Sequence, residues 1–221
     1  MTDPLSNPIG GYRIDLLFQG FPGKATHHGG LGWSTVVLLR GHGHIALIDT
    51  GPFGFRRELV RRLADAGVTP GQVTDVILSH GHHDHIANYP MFTKARIMIG
   101  AREMEWARTV VPGVTPVPEL YIAALSCHQG VTLLGDGDQV LPNLTAHLAP
   151  GHTPGCLFFL LSGEELDIIF TADAAKSRAE LVSRQADMTL DAAGSTTTIN
   201  KIWSVWRRRP GSIIIPGHDA P

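Results

Sequence analysis

The chain has 221 residues, 43% of them hydrophobic and 17% charged, with a formal net charge of -2. That is enough apolar material for one α/β domain over residues 1–221, and the scattered basic residues exclude the electrostatic footprint of a nucleic-acid binder. No apolar run is long enough to span a bilayer, and residues 1–12 lack the apolar stretch of a secretory signal. The expectation is therefore a protein of the reducing cytoplasm that acts on a small molecule, with neither nucleic acid nor membrane as partner. A homodimer is left open. Cys127 and Cys156 are too few for a disulfide framework, and Cys156 enters an apolar run as a small core residue.

In chain order, residues 12–18 read as a first strand, followed by a Gly-rich loop over 20–32 that carries Lys24, His27 and His28. The apolar runs 35–39 and 45–48 flank Arg40-Gly41-His42-Gly43-His44 as a hairpin, and the second run ends in Asp49-Thr50-Gly51. His42 and His44 are spaced like ligands, but at a hairpin tip the solvated reading is favoured. Residues 55–66 place Leu59, Val60, Leu63 and Ala64 on one helical stripe, and Gly67 ends it. A strand is expected at 76–78, another at 95–100 and a helix at 102–110. Three prolines make 111–118 irregular, and 120–125 suits a short helix. Strands at 131–134 and 144–148 enclose the turn Gly135-Asp136-Gly137-Asp138, and Pro150-Gly151-His152-Thr153-Pro154-Gly155 is a tight loop. Residues 157–161 and 166–170 form a hairpin that delivers Thr171-Ala172-Asp173. Ser195 is expected to cap a helix with the stripe Ile199, Ile202, Trp203 and Trp206, whose solvated end is Arg207-Arg208-Arg209. A last strand at 213–215 leads to Pro216-Gly217-His218-Asp219. Strands with a helix, then strands with a helix again, predict a layered αββα sandwich.

One stretch dominates this order. Ser79-His80-Gly81-His82-His83-Asp84-His85 puts four histidines and a carboxylate at the carboxyl end of a buried strand. Imidazole and carboxylate are ligands for first-row metals. His152, Asp173 and His218 stand beyond other apolar strands in the same way. With His80, His82, Asp84 and His85 they make seven candidate ligands. One four-coordinate ion takes four at most, so seven suit two ions that share a carboxylate.

This ordered set resembles the metallo-β-lactamase superfamily of hydrolases, whose hallmark His-x-His-x-Asp-His is followed by separate His, Asp and His ligands. The resemblance runs from Asp49-Thr50-Gly51 to His218 and implies an αββα sandwich of two mixed β-sheets, with metals at the strand ends between them. It implies that His80, His82 and His152 hold one divalent ion, that Asp84, His85 and His218 hold a second, and that Asp173 bridges them. Asp49 would orient the ligand loop, or else cap its own turn. His83 occupies a variable position, and His147 is read as an ordinary strand histidine. Zinc suits the set, and iron, manganese or cobalt would also be accepted. The implied chemistry is hydrolysis by a metal-bridging hydroxide, with Asp84 or Asp173 relaying the proton. Cys127 beside His128 is not a useful nucleophile pair.

Gly217-His218-Asp219, and residues 92–97 followed by a helix with Glu103 and Glu105, look like the N-acyl-homoserine lactonase branch. That branch carries a tyrosine three residues after the bridging Asp. This chain has Lys176 there, which can polarise a carbonyl, recognise a carboxylate, or simply be a solvated lysine. A lactone or related carboxylic ester is thus the first expected substrate. A glyoxalase II-like thioesterase comes next, although only three residues follow His218, where that branch adds a helical region. A β-lactamase-like amide hydrolase and a mononuclear iron persulfide dioxygenase-like oxidoreductase follow. Residues 21–33, 106–121 and 176–190 are the expected pocket walls, where Met188 and Trp33 fit an acyl site or core packing equally well.

Overall fold

Alternation along the strands decides the layering, because successive side chains in a strand point to opposite faces. The computed structural model describes residue 5, residues 7–25 and residues 29–221; His27 and His28 lie outside them. The first half comprises β1 (Arg13–Phe18), the short β2 (Lys24–Ala25) and β3 (Gly29–Gly30), then β4 (Val36–Gly41) and β5 (His44–Ile48). There follow α1 (Arg56–Asp65), β6 (Asp75–Leu78), α2 (His83–Ile86), β7 (Arg96–Gly100), α3 (Ala101–Ala107), α4 (Glu119–Ser126) and β8 (Val131–Leu134). They build a six-stranded sheet in the order β1-β4-β5-β6-β7-β8. Its pairs from β5 to β8 are parallel, because helices cross between these strands.

The second half comprises β9 (Gln139–Leu141), β10 (Leu144–Leu148), β11 (Leu157–Leu161), β12 (Ile168–Ala172), α5 (Arg178–Ser183), α6 (Ala192–Arg208) and β13 (Ile213–Pro216). Its sheet has the order β13-β12-β11-β10-β9 and is antiparallel except for β12–β13, which α5 and α6 connect.

Three apolar layers follow from the alternation. Val36 and Leu38 of β4 turn toward α1 to α4, where they meet Leu59, Leu63, Ile86, Met104 and Ile122. Val37 and Leu39 turn the other way and meet Leu157, Phe159, Leu161 and Phe170 between the sheets. Phe158 and Ile169 face outward again and pack on Ile199, Ile202 and Val205 of α6. Each fully buried leucine or isoleucine contributes roughly 1.5–3 kcal/mol. The two mixed sheets flanked by helices are the expected αββα sandwich. No helix among the described residues is long and apolar enough to cross a membrane.

Local differences from the sequence reading have physical reasons. Val60 and Ala64 are exposed, so the buried stripe of α1 is only Leu59 and Leu63 wide. Asp191, not Ser195, caps α6: its Oδ1 accepts from Gly194 N at 2.9 Å, while Ser195 is buried in the first turn beside Thr189. The helix α5 lies where a loop was expected. His44 is half-buried rather than free at its hairpin tip; its Nδ1 lies 2.7 Å from Asp75 Oδ2. The turn itself holds His42 and Gly43 at φ 49° and 80°, as a two-residue hairpin turn matched to strand twist requires.

Candidate metal centre

Five strand ends open toward one edge of the sandwich. β5 delivers Asp49, β6 the stretch from Ser79 to His85, β10 the loop with His152, β12 Asp173 and β13 His218. Two of these ends carry non-glycine residues in the left-handed region, Asp49 at φ 57° and Ala172 at φ 45°. Such residues cost about 1–3 kcal/mol each and persist where the surroundings over-determine them. Gly217 is required by close approach, since a Cβ there would lie 2.5 Å from both Ala172 O and Asp173 Oδ1.

The fold brings all seven candidate ligands together. His80, His82 and His152 form one group, His80, His85 and Asp173 a second, and Asp84, His85 and His218 a third; in each group the ligand atoms lie within 4.8 Å of one another. Asp173 stands between the outer groups: its Oδ2 is 3.1 Å from His152 Nε2, and its Oδ1 is 3.2 Å from His85 Nε2 and 3.1 Å from His218 Nε2. Asp84 Oδ2 is 3.3 Å from His218 Nε2 and 3.6 Å from His85 Nε2. His82 Nδ1 and His152 Nε2 face each other at 3.0 Å. His83 stays out of the cluster, its side chain 57% exposed. His147 lies in β10 and stacks on Phe158 with ring centroids 4.8 Å apart.

The donor set fits divalent cations. His80 Nε2, His85 Nε2 and Asp173 Oδ1 are buried and make no hydrogen bond among the described residues; the 3.2 Å approach of the last two lacks hydrogen-bond geometry. Burying such atoms without partners costs about 1–3 kcal/mol apiece, a cost that a shared cation removes. Burial holds the His80 and His152 imidazoles well below their ordinary pKa and pushes His82 down to about 4. These three are therefore neutral at pH 7, the form that ligates. Burial also pushes His85 and His218 down, but the carboxylates beside them (Asp84, Asp49 and Asp173 for His85; Asp173 and Asp84 for His218) push harder and raise both.

Asp49 lies behind the cluster, 2% exposed. Its Oδ1 accepts from Ser79 N at 2.8 Å; its Oδ2 accepts from Ser79 Oγ at 2.7 Å and lies 2.7 Å from His85 Nδ1. In the neutral ring that ligates a cation, a proton on His85 Nδ1 leaves Nε2 bare toward Asp84 and Asp173. This is the carboxylate–histidine arrangement that fixes a ligand's tautomer.

A cavity of about 780 Å³ opens over the cluster. Its walls come from the three expected segments, including Pro22 and Lys24, Val114 and Thr115, and residues from Lys176 to Leu190. Met188 lines it, but Trp33 packs against Phe21 and Phe55 instead and donates from Nε1 to Gln19 O. Lys176 is not a solvated lysine. Its side chain is 13% exposed, and Nζ donates to Asp187 O at 2.6 Å and lies 3.1 Å from Glu180 Oε1. Glu180 in turn accepts from the backbone N of both Lys176 and Asp187, and Lys24 pairs with Asp187 from the opposite wall. Nothing in the sequence marked Glu180, because its role arises from packing against a loop seven residues away.

The metallo-beta-lactamase superfamily model matches residues 29–218. The chain is 28% identical to metallo-beta-lactamase domain-containing protein 1 of Rattus norvegicus over 176 residues, 79% of this chain and 61% of that protein. It is 27% identical to the Xenopus laevis protein of the same name over 197 residues, 85% of this chain and 71% of that one. The chain thus spans less than two thirds of the rat protein's length. Among solved structures, a mutant of B. thuringiensis AiiA with N-decanoyl-L-homoserine bound at its active site has a TM-score of 0.76 at 18% identity, covering 96% of this chain and 94% of that one. AidC, a dizinc quorum-quenching lactonase, has a TM-score of 0.67 at 19% identity, covering 89% and 81%. At these identities the likeness speaks for the fold. With the family model matched across residues 29–218, the chain belongs to the metallo-beta-lactamase superfamily.

Proposed function

We propose that this chain is a dinuclear metal-dependent hydrolase of lactones or related carboxylic esters. The observation that carries the reading is the overlap of three His/Asp groups, with Asp173 facing both His152 and the His85–His218 pair. His80, His82 and His152 would hold one ion, Asp84, His85 and His218 its neighbour, and Asp173 would touch both. Zinc suits these nitrogen and oxygen donors, and iron, manganese or cobalt fit the same set. Divalent cations bound there supply Lewis acidity, which polarises a carbonyl and acidifies water.

The chain's own groups do the rest. Asp84, its side chain 14% exposed at the cavity floor, can take a proton from the attacking water and return it to the leaving alkoxide. Lys176 has three N–H donors, of which Asp187 O and Glu180 occupy two. The third is available to a substrate carbonyl or carboxylate. Val114, Met188 and Leu190 are exposed on the cavity wall and offer apolar surface to the remainder of the substrate. The names of two solved neighbours, an N-acyl homoserine lactone hydrolase and the lactonase AidC, agree with an ester of this kind. A panel of lactones, thioesters, β-lactams and phosphodiesters, assayed with zinc-reconstituted wild type and Asp173→Ala, tests the reading. Lactone turnover that Asp173→Ala abolishes is expected; preference for another bond would overturn the substrate class.

A further inference from the structure

Glu103 of α3 is a fully buried carboxylate to which the hydrolytic reading gives no task. No cation pairs with it among the described residues. Its Oε1 accepts from Gly81 N at 2.8 Å; its Oε2 accepts from Thr153 Oγ1 at 2.7 Å and from Gly155 N at 3.0 Å. Gly81 separates His80 from His82, and Thr153 follows His152. One side chain therefore joins the two loops that supply these three histidines. The packing leaves little play. A Cβ on Gly155 would lie 2.0 Å from Glu103 N and 2.4 Å from Glu103 Cα.

We infer that Glu103 is a positioning residue, which fixes the spacing of the His80–His82 loop against the His152 loop and so sets the affinity of that half-site for a divalent cation. The inference rests on the metal reading given above. A carboxylate is needed for a reason of donor counting. Gly81 N–H and Gly155 N–H can only donate, and they reach different oxygens of Glu103. A glutamine of the same shape has one acceptor oxygen and one donor nitrogen. Whichever way its amide turns, one backbone N–H faces another donor, and one loop loses its tether. Burial, opposed by the three hydrogen bonds, pushes the Glu103 carboxyl up to about 7. A divalent cation held by the neighbouring histidines would favour its ionised form. Glu103 thus stands behind the His80–His82–His152 group much as Asp49 stands behind His85.

Zn2+ titration of the metal-free wild type, Glu103→Gln and Thr153→Val, in competition with a chromophoric chelator, resolves the two half-site affinities. Co2+ electronic spectra report the geometry at each. Glu103→Gln is expected to weaken one affinity by about 10- to 100-fold, the range for groups that orient metal ligands. The weakened site is the one His82→Ala removes. Thr153→Val, which deletes one of three donors, is expected to weaken the same site by a smaller factor. Where Glu103→Gln does not fold, Thr153→Val decides by the same criterion. Unchanged zinc affinities and Co2+ spectra in a folded variant overturn the inference. So does equal weakening of both sites alongside a lowered Tm of the metal-free chain, since that describes a general fold element. A wild type that binds no zinc fails before any variant is compared; it overturns the metal reading itself, and this inference with it.

Discussion

Replacing Asp49 with asparagine probes how the chain prepares a histidine for metal. The two oxygens of Asp49 serve three groups of Ser79 and His85 at 2.7–2.8 Å. In Asp49→Asn the amide oxygen can keep Ser79 N–H, which can only donate. The amide nitrogen then faces Ser79 Oγ, which can turn and accept, and His85 Nδ1, which can accept only by moving its own proton to Nε2. Nε2 is the nitrogen that lies 3.2 Å from Asp173 Oδ1 and 3.6 Å from Asp84 Oδ2, so the new tautomer points a proton at the metal position. Loss of such a partner costs about 10- to 100-fold in metal affinity, or about 1.4–2.7 kcal/mol. The assay is zinc titration of the metal-free variant with chelator competition, read beside the imidazole 15N shifts of His85. The expected result is selective weakening of one site and a His85 spectrum shifted toward the Nε2–H tautomer. Wild-type affinity at both sites, with His85 still protonated on Nδ1, would refute the reasoning.

Asp173→Ala removes the group that faces both halves of the cluster, and kcat/KM should fall by more than about 100-fold, beyond the range for groups behind the ligands; a smaller loss on the best substrate contradicts a bridging role. Lys176→Ala should lower kcat/KM by roughly 10-fold or more if its third N–H meets the substrate, as expected for a charged hydrogen bond. An unchanged value assigns Lys176 to holding the 185–190 loop alone. Asp75, 3% exposed, binds His44, Thr74 and Arg96. Burial would raise its pKa, yet those hydrogen bonds and the Arg96 charge hold it below the ordinary value. Its folded pKa is below the unfolded one, so its stabilisation is present above the unfolded pKa and lost as pH falls through the folded one. Asp75→Asn should cost about 1–2 kcal/mol at pH 7, toward the low end for charged hydrogen bonds because Arg96 is 45% exposed. Urea unfolding should show that gap shrinking on acidification, and a gap independent of pH would contradict the account.

The candidate ligands were legible in the sequence because each stands just beyond an apolar strand, and because four of the seven fall between His80 and His85. The layers were legible because β4 and β11 are apolar on both faces, as strands covered on two sides must be. The missed elements were short or disguised. β9 is three residues long, and after Ala192 and Ala193 the first turns of α6 hold Gly194 and four Ser/Thr residues, which hide its start from a propensity reading. Glu103 looks like an ordinary polar residue of a helix, and Glu180 like one of a loop. Their meaning comes from Gly81, Thr153 and Gly155 in one case, and from Lys176 and Asp187 in the other. Such pairings exist only after the chain has folded. The same holds for His44, whose partner Asp75 lies 31 residues away.

Metal content tests the central claim most directly. The chain, stripped with chelator, reconstituted with zinc and desalted, should retain two metal ions per molecule by elemental analysis, and Asp173→Ala should retain fewer. Well under two ions in the reconstituted wild type would contradict a dinuclear centre built on these seven residues.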